Sequence, residues 1–183
     1  LWTIQWTNAM LGSHNALNAV AAAILAARLG VDWEDIVEPL ENFQGVDRRL
    51  QDVGTLSCRD GGTATIYDDY GHHPTEIEMT LRAISASALP KRFICVFQPH
   101  QHSRTRFLLD QFAQSFSSAD EVIVPHIYFV RDSEAEKQRV SAQDLVDKLT
   151  AKGAVAKHYE TFEEILKYVK SHAREGDLIT VMG

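Results

Sequence analysis

Short β-rich runs alternate with helical stretches along most of this chain, and no other feature limits its fold so tightly. The runs are "TATIYD", "RFICVF" (92–97), "EVIVP", "AVAKHY" and "DLITVM"; helical spacing is found between them over 74–88, 105–116, 141–151 and 161–174. Each run is too short for a stable helix and carries the β-branched and aromatic residues that suit a pleated surface. Strands joined through a helix run parallel, and they are apolar almost without break when helices cover both faces of the sheet. The pattern predicts a doubly wound α/β domain with a mostly parallel sheet. Ahead of it, residues 50–68 read as a hairpin-like stretch with "RDGG" as its turn. The charged connector "RDSEAEKQR" reads as a solvated surface loop.

The first 46 residues follow a different pattern. From Ser13 to about Leu29 the small residues Ala16, Ala19, Val20, Ala23, Ile24 and Ala27 recur at helical spacing, with Gly30 as the stop. Such a face predicts close packing on a neighbour. A second, shorter helix is expected after Asp32, with Trp33, Ile36, Val37 and Leu40 inward, ending near "NFQG". Gly45 to Arg49 reads as a linker. The chain opens on Leu1 and closes on "DLITVMG", a strand entering a glycine turn, so it is expected to be a piece of something longer. Residues 1–46 and 47–183 are expected to be two parts.

Composition narrows the partners. With 183 residues and 45% hydrophobic content there is material for one full core and a fragment of a second. Lys and Arg number 18 against 25 Asp and Glu, a net charge of -7, which removes the positive field that nucleic acid requires. Cys58 and Cys95 form neither a disulfide framework nor a zinc spacing, and are expected to be buried, reduced thiols of a cytoplasmic protein. The longest apolar run, "ALNAVAAAILAA", is broken by Asn18 and is too short for a bilayer, so no membrane partner is expected.

In open α/β sheets ligands bind at the carboxyl ends of the strands. Two unusual loops fall there, "DDYGHHP" after "TATIY" and "QPHQHSRT" after "RFICVF". Three readings stay open on the residues alone. Asp68, Asp69, His72, His73, His100 and His102 could gather a metal, although neighbouring His72 and His73 cannot easily face one ion. Histidines at a helix start could equally be caps, with Pro74 suited to the first turn and Gly71 to a tight turn or a close approach. Or the loops receive an anion, since Arg104 beside Ser103 and Thr105 presents a planar fork at a helix start; Arg106 reads equally well as a surface residue. Upstream, Asn15 and Asn18 in "LGSHNALN" share one helix face and could meet the edge of adenine, or Ser13 and Asn15 could cap the helix. None of the ten glycines lies in a GxxxxGK[ST] loop, so this chain has no phosphate-binding P-loop of its own.

Taken together, "GSHNALNAVAA", "FQGVDRRL", "DDYGHHPTE" and "FQPHQHSRT", in this order and at these separations, resemble the Mur ligases. The resemblance implies the end of a central ATP-binding domain over 1–46 and a Rossmann-like C-terminal domain over 47–183, truncated at its end. It implies an ATP-dependent amide ligase of peptidoglycan precursor synthesis. ATP phosphorylates a substrate carboxylate and an amino acid's amine attacks the acyl phosphate. The preferred branch joins L-alanine to UDP-N-acetylmuramate, and the branch that recycles murein tripeptide is the alternative. The Mg2+ ligands would lie mostly in the missing N-terminal and central portions, so no metal residue is assigned here, no catalytic residue either, and the fragment is expected to be inactive alone. Carried over by motif, Asn15, Asn18, Arg49 and Asp69 belong to the ATP side, Arg49 to its phosphates and Asp69 to its ribose. Tyr70, His72, His100 and Arg104 belong to the incoming amino acid, with Arg104 facing its carboxylate.

Two departures stand out. Gln101 occupies a position commonly arginine in the family, and Leu11 replaces the usual proline before Gly12. Gln101 can still hydrogen-bond a carboxylate but brings no charge, so either Arg104 carries that task alone or the amino-acid preference differs. A stand-alone metal-dependent hydrolase and a non-catalytic interaction domain are the readings from other classes.

Overall fold

A computed structural model describes residues 5–7 and 10–183. Six strands form one sheet in the order β1-β2-β6-β3-β4-β5. They are β1 (Gln51–Ser57), β2 (Thr63–Asp69), β3 (Arg92–Phe97), β4 (Glu121–Val124), β5 (Ala156–His158) and β6 (Asp177–Met182). Only β1 is antiparallel: it pairs with β2 as a hairpin and is offset by a bulge between Asp52 and Gly54. The other pairs are parallel, each strand reached through helices, as the alternation requires.

Alternate residues of each strand serve opposite faces. Phe93, Cys95 and Phe97 of β3 with Leu178 and Met182 of β6 pack against α3 (Pro74–Ala88), α5 (Leu109–Phe112) and α7 (Ala142–Ala151). Ile94, Val96 and Ile179 point the other way, onto Ile165 and Val169 of α8 (Phe162–His172). Both faces are covered, which is why β3 reads "RFICVF" with no polar interior position. Cys58 and Cys95 are free and buried, and enclosure pushes the Cys95 thiol well up.

At the amino ends of β3, β4 and β6 sits a charged network. Arg92 pairs with Asp177 and lies 3.8 Å from Glu121, whose carboxylate accepts from Lys157 Nζ (2.7 Å) and Tyr168 OH (2.6 Å). The opposite end of the sheet holds the candidate site.

Four expectations are corrected. The helix expected over 105–116 starts earlier, as α4 (His102–Phe107), and breaks at Leu108 before α5. The connector "RDSEAEKQR" contains a turn of helix, α6 (Glu134–Lys137), capped by Ser133 and held by Glu136, which pairs with both Arg106 and Arg139. The inward face expected for α1 (Ser13–Arg28) is mostly open: of its residues only Ala23 is buried, while Val20 and Ile24 are exposed. α2 (Trp33–Asn42) buries Ile36 but leaves Trp33 exposed. No helix of the described residues is long and apolar enough to cross a membrane.

Candidate functional site

β2 and β3 are separated in the sheet only by β6. The loops that follow them therefore emerge side by side at the carboxyl end. Asp69, the last residue of β2, is 2% exposed. Its Oδ1 accepts from the Gly71 N–H (2.7 Å) and its Oδ2 from the Leu50 N–H (2.9 Å). One carboxylate thus clamps the loop after β2 to the segment leading into β1. A Cβ on Gly71 would stand 2.7 Å from Asp69 Oδ1 and 2.8 Å from Met182 Cε, so the clamp closes only over a residue with no side chain. Burial pushes the Asp69 carboxyl above its usual range, against the two N–H groups and the charge of Arg49.

The segment before β1 is strained. Arg48 and Leu50 have φ of 60° and 49°, left-handed values that cost a non-glycine residue about 1–2 kcal/mol each. The strain is held by the Tyr70 N–H donating to the Arg48 carbonyl (2.6 Å) and by the Arg48 guanidinium, which donates to the Gly183 carbonyl (2.8 Å) beside Asp68 (3.4 Å).

The two adjacent histidines have different tasks. His73 is the N-cap of α3, accepting from the Thr75 N–H, while Glu76 accepts from the His73 N–H (3.3 Å) and the His72 N–H (3.2 Å). Pro74 takes the first turn, as its missing N–H allows. His72 is free of that duty; its Nδ1 lies 3.0 Å from the Tyr70 carbonyl and its ring meets the Tyr70 ring edge-on at 5.3 Å.

Between α1, α2 and the start of α3 runs a cleft of about 830 Å³. Asn15 and Asn18 line one wall; Arg49, Asp69, Thr75 and Glu76 line the other. The structure therefore brings the four residues expected on the ATP side to one cavity. Asn15 donates to the Leu11 carbonyl (2.7 Å), which fixes its carboxamide, and the helix is capped by Gly12 and not by Ser13 or Asn15. His14 lines the same cleft, and its buried Nδ1 has no partner among the described residues. Its signal in the sequence is its place inside "GSHN", between residues read for helix capping.

Of the four residues expected on the amino-acid side, His72 and Arg104 lie near enough to act on His100, and Tyr70 meets His72 edge-on. Burial holds the His100 imidazole below its ordinary value, and the charges of His72, Arg104 and Arg48 lower it further. Arg104 forms no ion pair among the described residues, whereas Arg106 is engaged by Glu136 at 2.9 and 3.3 Å. Gln101, between His100 and α4, has a φ of 66° and bonds through its backbone to Tyr128 and Thr105. The cluster suits a small zwitterion: a free guanidinium for a carboxylate, and an imidazole held neutral for an ammonium.

The metal reading finds no support in this geometry. Asp68 pairs with Arg48, Asp69 clamps two backbone N–H groups, His73 caps α3 and His102 packs edge-on against Phe129. Among the described residues no three His, Cys, Asp or Glu side chains come together.

One family model, described as "Mur ligase, glutamate ligase domain", matches residues 48–183, the segment that carries this doubly wound sheet and both rim loops. The chain belongs to the Mur ligase family. Among curated proteins it is similar to the UDP-N-acetylmuramate–L-alanine ligases of Caldanaerobacter subterraneus subsp. tengcongensis (40% identical over 173 residues, 94% of this chain and 36% of that one) and Desulfitobacterium hafniense (40% over 172 residues, 94% and 37%). Among solved structures it is similar to the UDP-N-acetylmuramate–alanine ligase of Thermotoga maritima, with a TM-score of 0.74 and 27% identity over 99% of this chain and 36% of that one. The chain spans little more than a third of the length of these relatives.

Proposed function

We propose that this chain supplies the amino-acid side and part of the ATP site of a ligase that joins L-alanine to UDP-N-acetylmuramate, making a peptidoglycan precursor. In this reading residues 1–46 close a central ATP-binding domain and 47–183 form the C-terminal domain; the remaining domains complete the site, and the fragment alone is inactive. The observation that carries it is the arrangement of the two clusters. Asn15, Asn18, Arg49 and Asp69 surround one cleft, and the unpaired Arg104 with the neutral-leaning His100 lies beyond the same loop.

The residues fit such a nucleotide. Asn15 and Asn18 offer amide groups to a base edge, and the buried, unpartnered Nδ1 of His14 awaits a polar group in the same wall. Arg49 would meet the phosphates. The Asp69 carboxylate keeps lone pairs beyond those used by Leu50 and Gly71, enough to accept a ribose hydroxyl. The described residues offer no cage for the Mg2+ that such chemistry employs, so no step is assigned to it on this chain. Arg104 would hold the carboxylate of L-alanine, and Tyr70, His72 and His100 would surround its amine. Holding that amine in line while the cleft closes over a hinge near Gly45–Asp47 would favour attack on an acyl phosphate over hydrolysis by water. In this reading the ligase works in the cytoplasm.

The test is Arg104→Ala in the full-length ligase. The KM for L-alanine should rise about a hundredfold, as loss of a charge-assisted bidentate contact implies, with the KM for ATP near wild type. An unchanged KM for L-alanine would remove Arg104 from the site.

A further inference from the structure

Arg49 poses a problem that the ligase reading leaves open. A long, flexible guanidinium must be aimed into the cleft before the nucleotide arrives, yet among the described residues Arg49 forms no ion pair. Asp69 and Glu76 act on it only through space, while their carboxylates accept from the N–H groups of Leu50, Gly71, His72 and His73. What lies against it is an aromatic face: the Arg49 guanidinium carbon is 5.8 Å from the centroid of the Tyr70 ring, and that of Arg48 is 4.8 Å from the same centroid.

We propose that the Tyr70 ring is a positioning residue, a π-face that aims Arg49 into the nucleotide cleft. The proposal rests on the ligase reading and differs from the direct amino-acid contact that the resemblance implies for Tyr70. Its chemical sense lies in the donor count. A carboxylate partner would hold Arg49 by consuming its N–H groups and neutralising its charge, whereas a ring attracts the cation through its quadrupole and leaves all five N–H groups free for phosphate oxygens. The ring is itself well fixed. Its backbone N–H donates to the Arg48 carbonyl, the clamp of Asp69 on Gly71 immobilises the next turn, and His72 meets its edge at 5.3 Å. Arg48, anchored on the Gly183 carbonyl and beside Asp68, braces the ring in turn. Because His72 faces the amino-acid cluster, the same ring joins the two halves of the site.

The experiment uses the full-length ligase with Tyr70→Leu, Tyr70→Phe, Arg49→Ala and the Tyr70→Leu/Arg49→Ala double variant, measuring KM for ATP and for L-alanine separately. Tyr70→Leu should raise the KM for ATP about tenfold, more than it raises that for L-alanine. Tyr70→Phe, which keeps the π-face and loses the hydroxyl, should stay within about threefold of wild type for ATP. In the Arg49→Ala background Tyr70→Leu should add less than twofold, because the group it positions is gone. The ring is 40% exposed, so thermal unfolding of Tyr70→Leu should remain close to wild type and separates positioning from misfolding. An effect on L-alanine alone, a Tyr70→Phe as impaired as Tyr70→Leu, or penalties that multiply in the double variant would each overturn the proposal while leaving the ligase reading intact. A well-folded full-length protein that forms no amide from ATP, UDP-N-acetylmuramate and L-alanine would sink both.

Discussion

Replacing Asp69 by asparagine isolates the clamp at the centre of the site. In the native chain two backbone N–H groups converge on one carboxylate, at 2.7 and 2.9 Å. Asparagine keeps the shape but can accept on only one side; its NH2 must face the other donor. The Gly71 N–H is the fully buried partner, so the remaining oxygen should stay there, leaving the half-buried Leu50 N–H to water. One charge-assisted bond lost and one donor partly rescued by solvent amount to about 1–2 kcal/mol, less the relief of burying no charge. Alanine orphans both donors and opens a void, which raises the cost to about 3–5 kcal/mol. For a chain of this size each kcal/mol lowers Tm by about 2–4 °C, so asparagine should cost a few degrees and alanine on the order of 10 °C. Thermal unfolding of the 183-residue chain, followed by circular dichroism, measures both. Equal losses for the two variants, or none for alanine, would show that the carboxylate does not hold the loop. Gly71→Ala should fall between them, since its methyl would displace the same oxygen.

Other perturbations probe the rest of the molecule. Burial raises the Glu121 carboxyl but Lys157, Tyr168 and Arg92 outweigh it, so its value lies below the ordinary 4.5. A depressed acid stabilises the fold above its unfolded value and loses that contribution as pH falls through the folded one. Glu121→Ala should therefore cost about 2 kcal/mol in urea titrations at pH 7 and distinctly less near pH 3. His100, lowered from its ordinary value by burial, gains a proton only below that value and then repels an ammonium; in the full-length ligase the KM for L-alanine should climb as pH falls below it, and His100→Gln should flatten the rise. Arg106→Ala should leave Tm nearly unchanged but release α6, seen as faster hydrogen exchange over 133–138, because Glu136 loses the partner at 2.9 Å that holds it to α4.

Much of the sheet could be read in advance, because period and composition agree. "RFICVF" and "DLITVM" are apolar on both faces, and the structure places them as neighbouring strands. The order of strands could not be read, since periodicity says which way a residue faces and nothing about which strand lies beside it. Leu108 keeps the apolar spacing of a continuous helix, so the break between α4 and α5 left no mark in the pattern. α6 was missed for the opposite reason: "SEAEKQ" has no apolar stripe, and its order comes from a distant arginine. At the site, Gly71 and Pro74 announced a tight turn and a helix start, but His72 and His73 look alike in sequence and only the backbone geometry of α3 gives one the cap and leaves the other facing Tyr70. The exposed face of α1 shows the limit of amphipathic reasoning, which identifies a surface that needs cover without supplying the cover.

The position of β6 has a consequence for biogenesis. It is the last of the described strands in sequence, yet it lies between β2 and β3, and its end bonds both site loops, Gln98 donating to the Met182 carbonyl and Gly183 to that of Asp69. On the ribosome the earlier strands must wait with a gap between them, so neither rim loop acquires its final shape until β6 has left the exit tunnel and slotted in. The two rim loops are thus completed together, and only after β6 has formed.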